Sequence, residues 1–225
     1  FQFSTIQPGN VLTSFSTPSN SPFGVVVDSN GNLISGDWDT NPGTIYVHDG
    51  ISSTTTNSFS SPGPGPVGIV IDPNGNLISA ESQSGNNIIY VHDGISSTTT
   101  NSFSGPGSNP RGLTIDSNGN LISSDFTTDT IYIHDGISST TTNSFSSPGN
   151  GLTGITVDSN GNLISVELNG NPYTIYIHDG ISATTTNSFS SPGGSPRGLA
   201  IDPNGDLIVV ARDNNSNWKF YIVSL

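Results

Sequence analysis

Apolar and polar residues fall into short runs along this chain, each broken by a cluster of Gly, Pro, Asn or Asp. From Pro22 the first run is Val-rich, Gly24–Asp28, and is stopped by Asp-Ser-Asn-Gly. The second is Asn32–Asp37. The third is Thr44–His48, with Ile45 and Val47 alternating against Tyr46 and His48, and the fourth is Thr54–Ser60, ended by Pro62-Gly63. Gly31 supplies the positive φ of a tight turn, and the Asp28 carboxylate can bond the backbone two residues on. No 3.6-residue period appears, and the β-branched content predicts strands and no helix.

The unit Pro22–Gly63 then repeats. Its Asp-x-Asn-Gly turn recurs at Asp28, Asp72, Asp116, Asp158 and Asp202, at spacings of 44, 44, 42 and 44 residues. Four strands in about 44 residues is the period of a propeller blade. The expected fold is therefore all-β: a single five-bladed β-propeller domain of four-stranded antiparallel blades over 1–225. The blades span about 22–61, 66–105, 110–147, 152–191 and 196–225. The last unit has runs at Gly198–Asp202, Asp206–Arg212 and Lys219–Val223 but lacks a fourth. A spare run, Val11–Ser16 (VLTSFS), precedes the first unit and matches the TTNSFS of the others. It is expected to complete the fifth blade beside the C-terminal strand, leaving no open edge. An uncapped solenoid explains neither this offset nor the lack of caps.

Composition narrows the partners. Charged residues are 9% and the formal net charge is −13, with four Lys and Arg together. That opposes nucleic acid and electrostatic docking to anionic lipid. No apolar run approaches the roughly 20 residues of a membrane helix, so no membrane insertion is expected. There is no Cys to report a redox compartment. Low Lys, abundant Thr, Ser and Asn, and a chain beginning at Phe1 suggest a processed, secreted or cell-surface protein.

The pattern Pro-x-Gly-x-x-x-Asp-x-x-Gly-Asn-Leu, followed by Thr-Ile-Tyr-x-His-Asp-Gly, resembles the NHL-type repeat. It is also similar to YVTN-type surface propellers and to the streptogramin-lyase and gluconolactonase propellers. The resemblance implies a propeller, usually of six or seven blades. It implies no single function, because these families include scaffolds, protein binders, RNA binders and enzymes.

Comparing the five copies separates two faces. The first-to-second and third-to-fourth strand loops are nearly constant, as in DSNGN and HDGISSTTT. The loops on the other face, called the top, differ between blades. All three arginines, Arg111, Arg197 and Arg212, fall there, with Trp38, Phe126, Leu168, Tyr173 and Trp218 nearby. Arginines and aromatic rings around a concave mouth suit a polar ligand such as a sugar. The candidate ligand-binding residues are Trp38, Arg111, Phe126, Tyr173, Arg197, Arg212 and Trp218. Alternatively, the arginines pair with carboxylates of adjacent blades and lock the loops.

Second strands end in Asp37, Glu81, Asp125 and Glu167, with Ala211 in the fifth blade. If those four carboxylates converge over the channel, a cation such as Ca2+ would relieve their repulsion. No other cofactor is expected. The repeated His48-Asp49, His92-Asp93, His134-Asp135 and His178-Asp179 pairs read as turn caps, with Ser224 at the matching place in the fifth blade. No Ser-His-Asp set can be assembled, since every His falls on the face opposite the top. The chain is therefore expected to have no catalytic residues and not to be an enzyme.

The leading expectation is a recognition or display propeller binding a glycan or protein through its top face. A structural subunit that self-assembles through its Thr-rich rim, and a metal-dependent lactonase or hydrolase, are the alternatives.

Overall fold

The computed structural model describes residues 7–83 and 86–225. The expected architecture is the one observed: five antiparallel four-stranded sheets and, among the described residues, no helix. The first blade is β2 (Pro22–Val27), β3 (Leu33–Asp37), β4 (Thr44–His48) and β5 (Thr55–Ser60). The second is β6 (Pro66–Ile71), β7 (Leu77–Gln83), β8 (Asn86–His92) and β9 (Thr99–Ser104). The third is β10 (Pro110–Ile115), β11 (Leu121–Asp125), β12 (Thr130–His134) and β13 (Thr141–Ser146). The fourth is β14 (Asn150–Val157), β15 (Leu163–Asn169), β16 (Thr174–His178) and β17 (Thr185–Ser190). The fifth combines β18 (Leu199–Ile201), β19 (Leu207–Arg212) and β20 (Trp218–Val223) with the N-terminal strand β1 (Val11–Ser16).

The closure is formed by the expected strand. Strand β1 runs antiparallel to β20, with Phe15 opposite Phe220 and Ser16 opposite Lys219. Gly9 N–H donates to Ser224 O at 2.8 Å, and Ser224 N–H donates to Asn10 O at 3.0 Å. The terminal blade thus joins the two ends of the described chain by backbone hydrogen bonds.

Each turn between the first two strands is held by its own aspartate. Asp28 Oδ1 accepts from Asn30 N and Asn32 N at 2.9 and 2.8 Å, and the Asn32 side-chain carbonyl accepts from Gly50 N at 3.1 Å. The last bond ties this turn to the third-to-fourth strand loop, so the two constant loops of each of the first four blades are joined. The same Asp-to-Asn pattern, without a tight-turn glycine, reappears at Asp213 in the β19–β20 loop, where Oδ1 accepts from Asn215 N and Asn217 N.

The core lies between blades. Leu33 packs toward the fifth blade with Ile208 and Phe220, while its neighbour Ile34 packs toward the second with Ile69 and Leu77. Both faces of an inner strand are therefore buried, which is why these runs are continuously apolar. The outermost strands are different: TTNSFS is exposed except for its half-buried Phe.

Innermost strands approach one another so closely that only glycine fits. A Cβ at Gly24, Gly68, Gly112, Gly154 or Gly198 would come within 3.0 Å of backbone in the next blade, Gly198 meeting Phe23 O across the closure. These glycines line a waist with only about 10 Å³ of free space, which divides the central channel in two. Below it lies an aliphatic chamber of about 300 Å³, and above it the top mouth of about 320 Å³.

Candidate functional site

The mouth is built from one repeated irregularity. In the first four blades the pairing of the first two strands slips just after Pro22, Pro66, Pro110 or Leu152, as between Pro110 and Leu113. Bulges re-aim side chains. Here the residue between Pro (or Leu) and Gly is the one re-aimed: Phe23, Val67, Arg111, Thr153 and Arg197 occupy this position around the ring. Phe23, Arg111, Thr153 and Arg197 line the mouth with Trp38, Phe126, Leu168, Ser195 and Arg212.

The guanidinium groups lie over rings. That of Arg197 is 3.7 Å from the Phe23 ring centroid and 4.0 Å from that of Trp218. That of Arg111 lies 5.0, 5.6 and 5.2 Å from Phe23, Trp38 and Phe126, and that of Arg212 is 4.6 Å from Trp218. Phe23 and Trp38 meet edge-on at 5.3 Å. Gly65 makes room for this indole, since a Cβ there would collide with it. Burial lowers the Arg111 pKa, opposed by Asp125. Burial and then the charges of Arg212 and Arg111 bring Arg197 down to about 9.

Five of the seven predicted ligand residues therefore share one cavity: Trp38, Arg111, Phe126, Arg197 and Arg212. Trp218 is buried beneath Arg197 and Arg212 and borders a second, polar groove of about 480 Å³ with Lys219 and Asn20. Tyr173 stands apart, beside Gly194. Sequence reasoning missed Phe23 and Thr153. The signal for both was the variable middle residue of Pro-x-Gly, whose place in the ring emerges only when blades are superposed.

The arginines do not pair with carboxylates of adjacent blades: among the described residues no Arg nitrogen lies within 4.0 Å of a carboxylate oxygen. Arg197 Nη1–H instead donates to the Pro22 carbonyl at 2.9 Å, across the closing seam. The Nε atoms of Arg111 and Arg212 are buried without a hydrogen-bond partner.

The four second-strand carboxylates are not brought together as a cation ring. Among the described residues no group of three His, Asp or Glu side chains is placed to hold a metal. Each carboxylate instead straps the loop entering its own blade. Asp37 accepts from Ser21 N at 3.1 Å and from the Ser19 hydroxyl. Glu81 accepts from Gly65 N at 2.8 Å, Asp125 from Asn109 N at 2.5 Å and Glu167 from Gly149 N at 2.9 Å. The reason is local: each loop bends back over its second strand and presents unpaired amides there. In the fifth blade, where Ala211 stands, a backbone pair between Gly194 and Arg212 does the same work. Burial raises the pKa of Glu81 and Glu167 against these hydrogen bonds.

The histidines cap their turns, as expected, but from the interior. All four are fully buried, each with Nδ1 at a loop carbonyl and Nε2 at a serine of the second strand. His48 Nδ1–H donates to Ser52 O at 2.8 Å, and the Ser35 hydroxyl lies 2.9 Å from Nε2. A carbonyl only accepts, so Nδ1 carries the proton and Nε2 accepts from serine. His92, His134 and His178 repeat this with Ser79, Ser123 and Ser165. Burial lowers each imidazole pKa. In the fifth blade the register puts Val209 and Val223 in these two places, and Ser224 matches Asp49 rather than His48.

No protein-family model matches this chain, and no curated protein matches it in sequence. Solved structures do match. The glutaminyl cyclase of Myxococcus xanthus superposes with a TM-score of 0.72 at 14% identity, covering 96% of this chain and 97% of that one. The WD40 propeller domain of Doa1 matches with a TM-score of 0.58 at 19% identity, over 87% of this chain and 61% of that one. A chain of the mitotic checkpoint complex matches with a TM-score of 0.55 at 16% identity, over 89% of this chain and 61% of that one. This chain thus spans about three-fifths of the length of the last two. At these identities the likeness is one of fold, and it does not single out the NHL-type repeats. It also overturns one expectation. A propeller of this architecture, matched over its whole length, is an enzyme, so the fold gives no ground for reading the chain as not an enzyme.

Proposed function

We propose that this chain is a secreted or surface recognition propeller that takes the terminal residue of a glycan into its top mouth. The observation that carries this reading is the cavity itself. Three arginines and the rings of Phe23, Trp38 and Phe126 surround about 320 Å³ above a closed waist. That volume is at the low end of the ~300–1,000 Å³ of ligand pockets, so one sugar ring enters rather than a chain. Aromatic faces suit the C–H face of a sugar, and guanidinium groups donate to its oxygens. The hydroxyl- and amide-rich, lysine-poor surface supports a place outside the cell.

A glycan array with purified protein, with and without calcium, tests the reading. Reproducible binding is expected, abolished by Trp38→Ala while melting stays near wild type. Calcium dependence would restore the cation site that the carboxylate geometry disfavours. The same preparation should be assayed for glutaminyl cyclase activity, the activity named for the Myxococcus protein. A clean negative on the array would refute glycan recognition and turn attention to assembly through the exposed outer strands.

A further inference from the structure

Three of the four Lys and Arg residues of a chain with net charge −13 meet in one small cavity. Such a chain has carboxylates to spare, yet among the described residues none forms an ion pair with these guanidiniums, and Asp125, Asp37 and Asp39 act on Arg111 and Arg197 only at a distance. Asp37, Glu81, Asp125 and Glu167 are committed to loop amides instead. The Nε–H groups of Arg111 and Arg212 are buried and donate to nothing. Like charges this close, partly removed from water, destabilise the free protein. Stacking on rings offsets only part of that. Burial, and after it the charges of Arg212 and Arg111, lower the Arg197 pKa against the pull of Asp37 and Asp39. An arrangement of this kind is relieved by an anion.

We propose that the mouth is an anion seat, and that the sugar it receives carries a carboxylate, as a uronic acid does. This rests on the glycan reading above and adds its charge. The carboxylate sits among Arg111, Arg197 and Arg212, where planar guanidinium forks can take it in bidentate fashion. The sugar ring then lies toward Trp38 and Phe126, on the open side of the cavity. Arg197 is already oriented by its bond to the Pro22 carbonyl, so little side-chain freedom remains to be lost on binding.

The test is titration calorimetry with galacturonic acid, its methyl ester and galactose, repeated with glucuronic acid and glucose, at low and high salt. Galacturonate or glucuronate is expected to bind at least tenfold more tightly than the ester or neutral sugar, and to weaken in salt. Arg111→Gln and, separately, Arg212→Gln should each weaken the acid at least tenfold. Neither should lower the melting temperature of the free protein, because each removes a poorly paired buried charge. Equal binding of acid and neutral sugar would overturn the anion seat and leave glycan recognition standing. Failure of every sugar here and on the array would overturn both. If one variant does not fold, the other and the acid-to-ester ratio of the wild type still decide.

Discussion

Ser35 and His48 are expected to be energetically coupled, and the chain contains its own control. Replacing His48 alone by Val leaves the Ser35 hydroxyl, 1% exposed, without its acceptor, and leaves the Ser52 carbonyl without its donor. It also removes the edge-on contact with Phe220, at 5.6 Å between centroids. A buried polar group left unpaired costs about 1–3 kcal/mol, so the single change should cost about 2–4 kcal/mol. Replacing Ser35 alone by Val strands Nε2 and should cost about 1–3 kcal/mol. The double change Ser35→Val with His48→Val strands neither group. It reproduces the fifth blade, where Val209 and Val223 are both fully buried at these places. The double variant should therefore be more stable than the sum of the singles by about 1–3 kcal/mol. Urea unfolding of the four proteins at pH 7.5 measures this. Additivity within about 0.5 kcal/mol would refute the coupling.

The same pair sets an acid response. Burial lowers the folded pKa of each histidine below 6.5. Between that lowered value and 6.5 the unfolded chain binds more protons than the folded one, so stability falls as pH falls through the window. The slope is at most about 1.4 kcal/mol per pH unit for each histidine. Glu81 and Glu167, with raised folded values, work in the opposite direction as they take up protons. The informative quantity is thus the difference between proteins. The Ser35→Val, His48→Val variant should lose one histidine's share of the slope.

Other expectations follow from the same geometry. Gly198→Ala places a Cβ against the Phe23 carbonyl across the closure and should cost about 1–3 kcal/mol, read as a lower melting temperature. Gly105→Ala meets nothing nearer than 3.6 Å and should be neutral or stabilising by up to about 1 kcal/mol in the same assay. Deleting residues 1–16 removes β1 and exposes the edge of β20, so aggregation or a large loss of melting temperature is expected. A monomeric truncation melting like the full chain would contradict the role of that closure. Affinity for an acidic sugar should fall as pH rises through about 9, where Arg197 loses its proton, and calorimetry at pH 7.5 and 10 checks it.

Much of the architecture was legible because repetition makes local signals add. Five Asp-x-Asn-Gly turns and five Phe-Ser strand ends reported the blade count, and the offset of VLTSFS reported the closure. Much of the site was legible too, since divergence among otherwise matching copies marked the top loops. The histidines were legible as turn caps, because their sequence neighbours, Asp and Gly, signal a turn, but their burial and second partner were not. That partner, a serine 11 or 13 residues earlier, is adjacent only across the β3–β4 type of pairing. The carboxylates were misread for a related reason. Their position at a strand end says where they begin, not whether loop amides reach them first.

What the sequence by itself determined is everything set by period and alternation: strands, turns, five blades and a velcro-like N-terminal strand. These depend on near neighbours along the chain and on a pattern any copy repeats. Only the tertiary structure decided that Phe23, from the first blade, joins Arg111 and Arg197, from the third and fifth, in one cavity. Ring closure brings together residues that are 88 and 174 positions away from Phe23, taking 111 − 23 and 197 − 23. It also decided that the carboxylates serve the loops and, among the described residues, leave the guanidiniums without an ion pair. That outcome depends on distances across a ring, which no run of residues encodes locally.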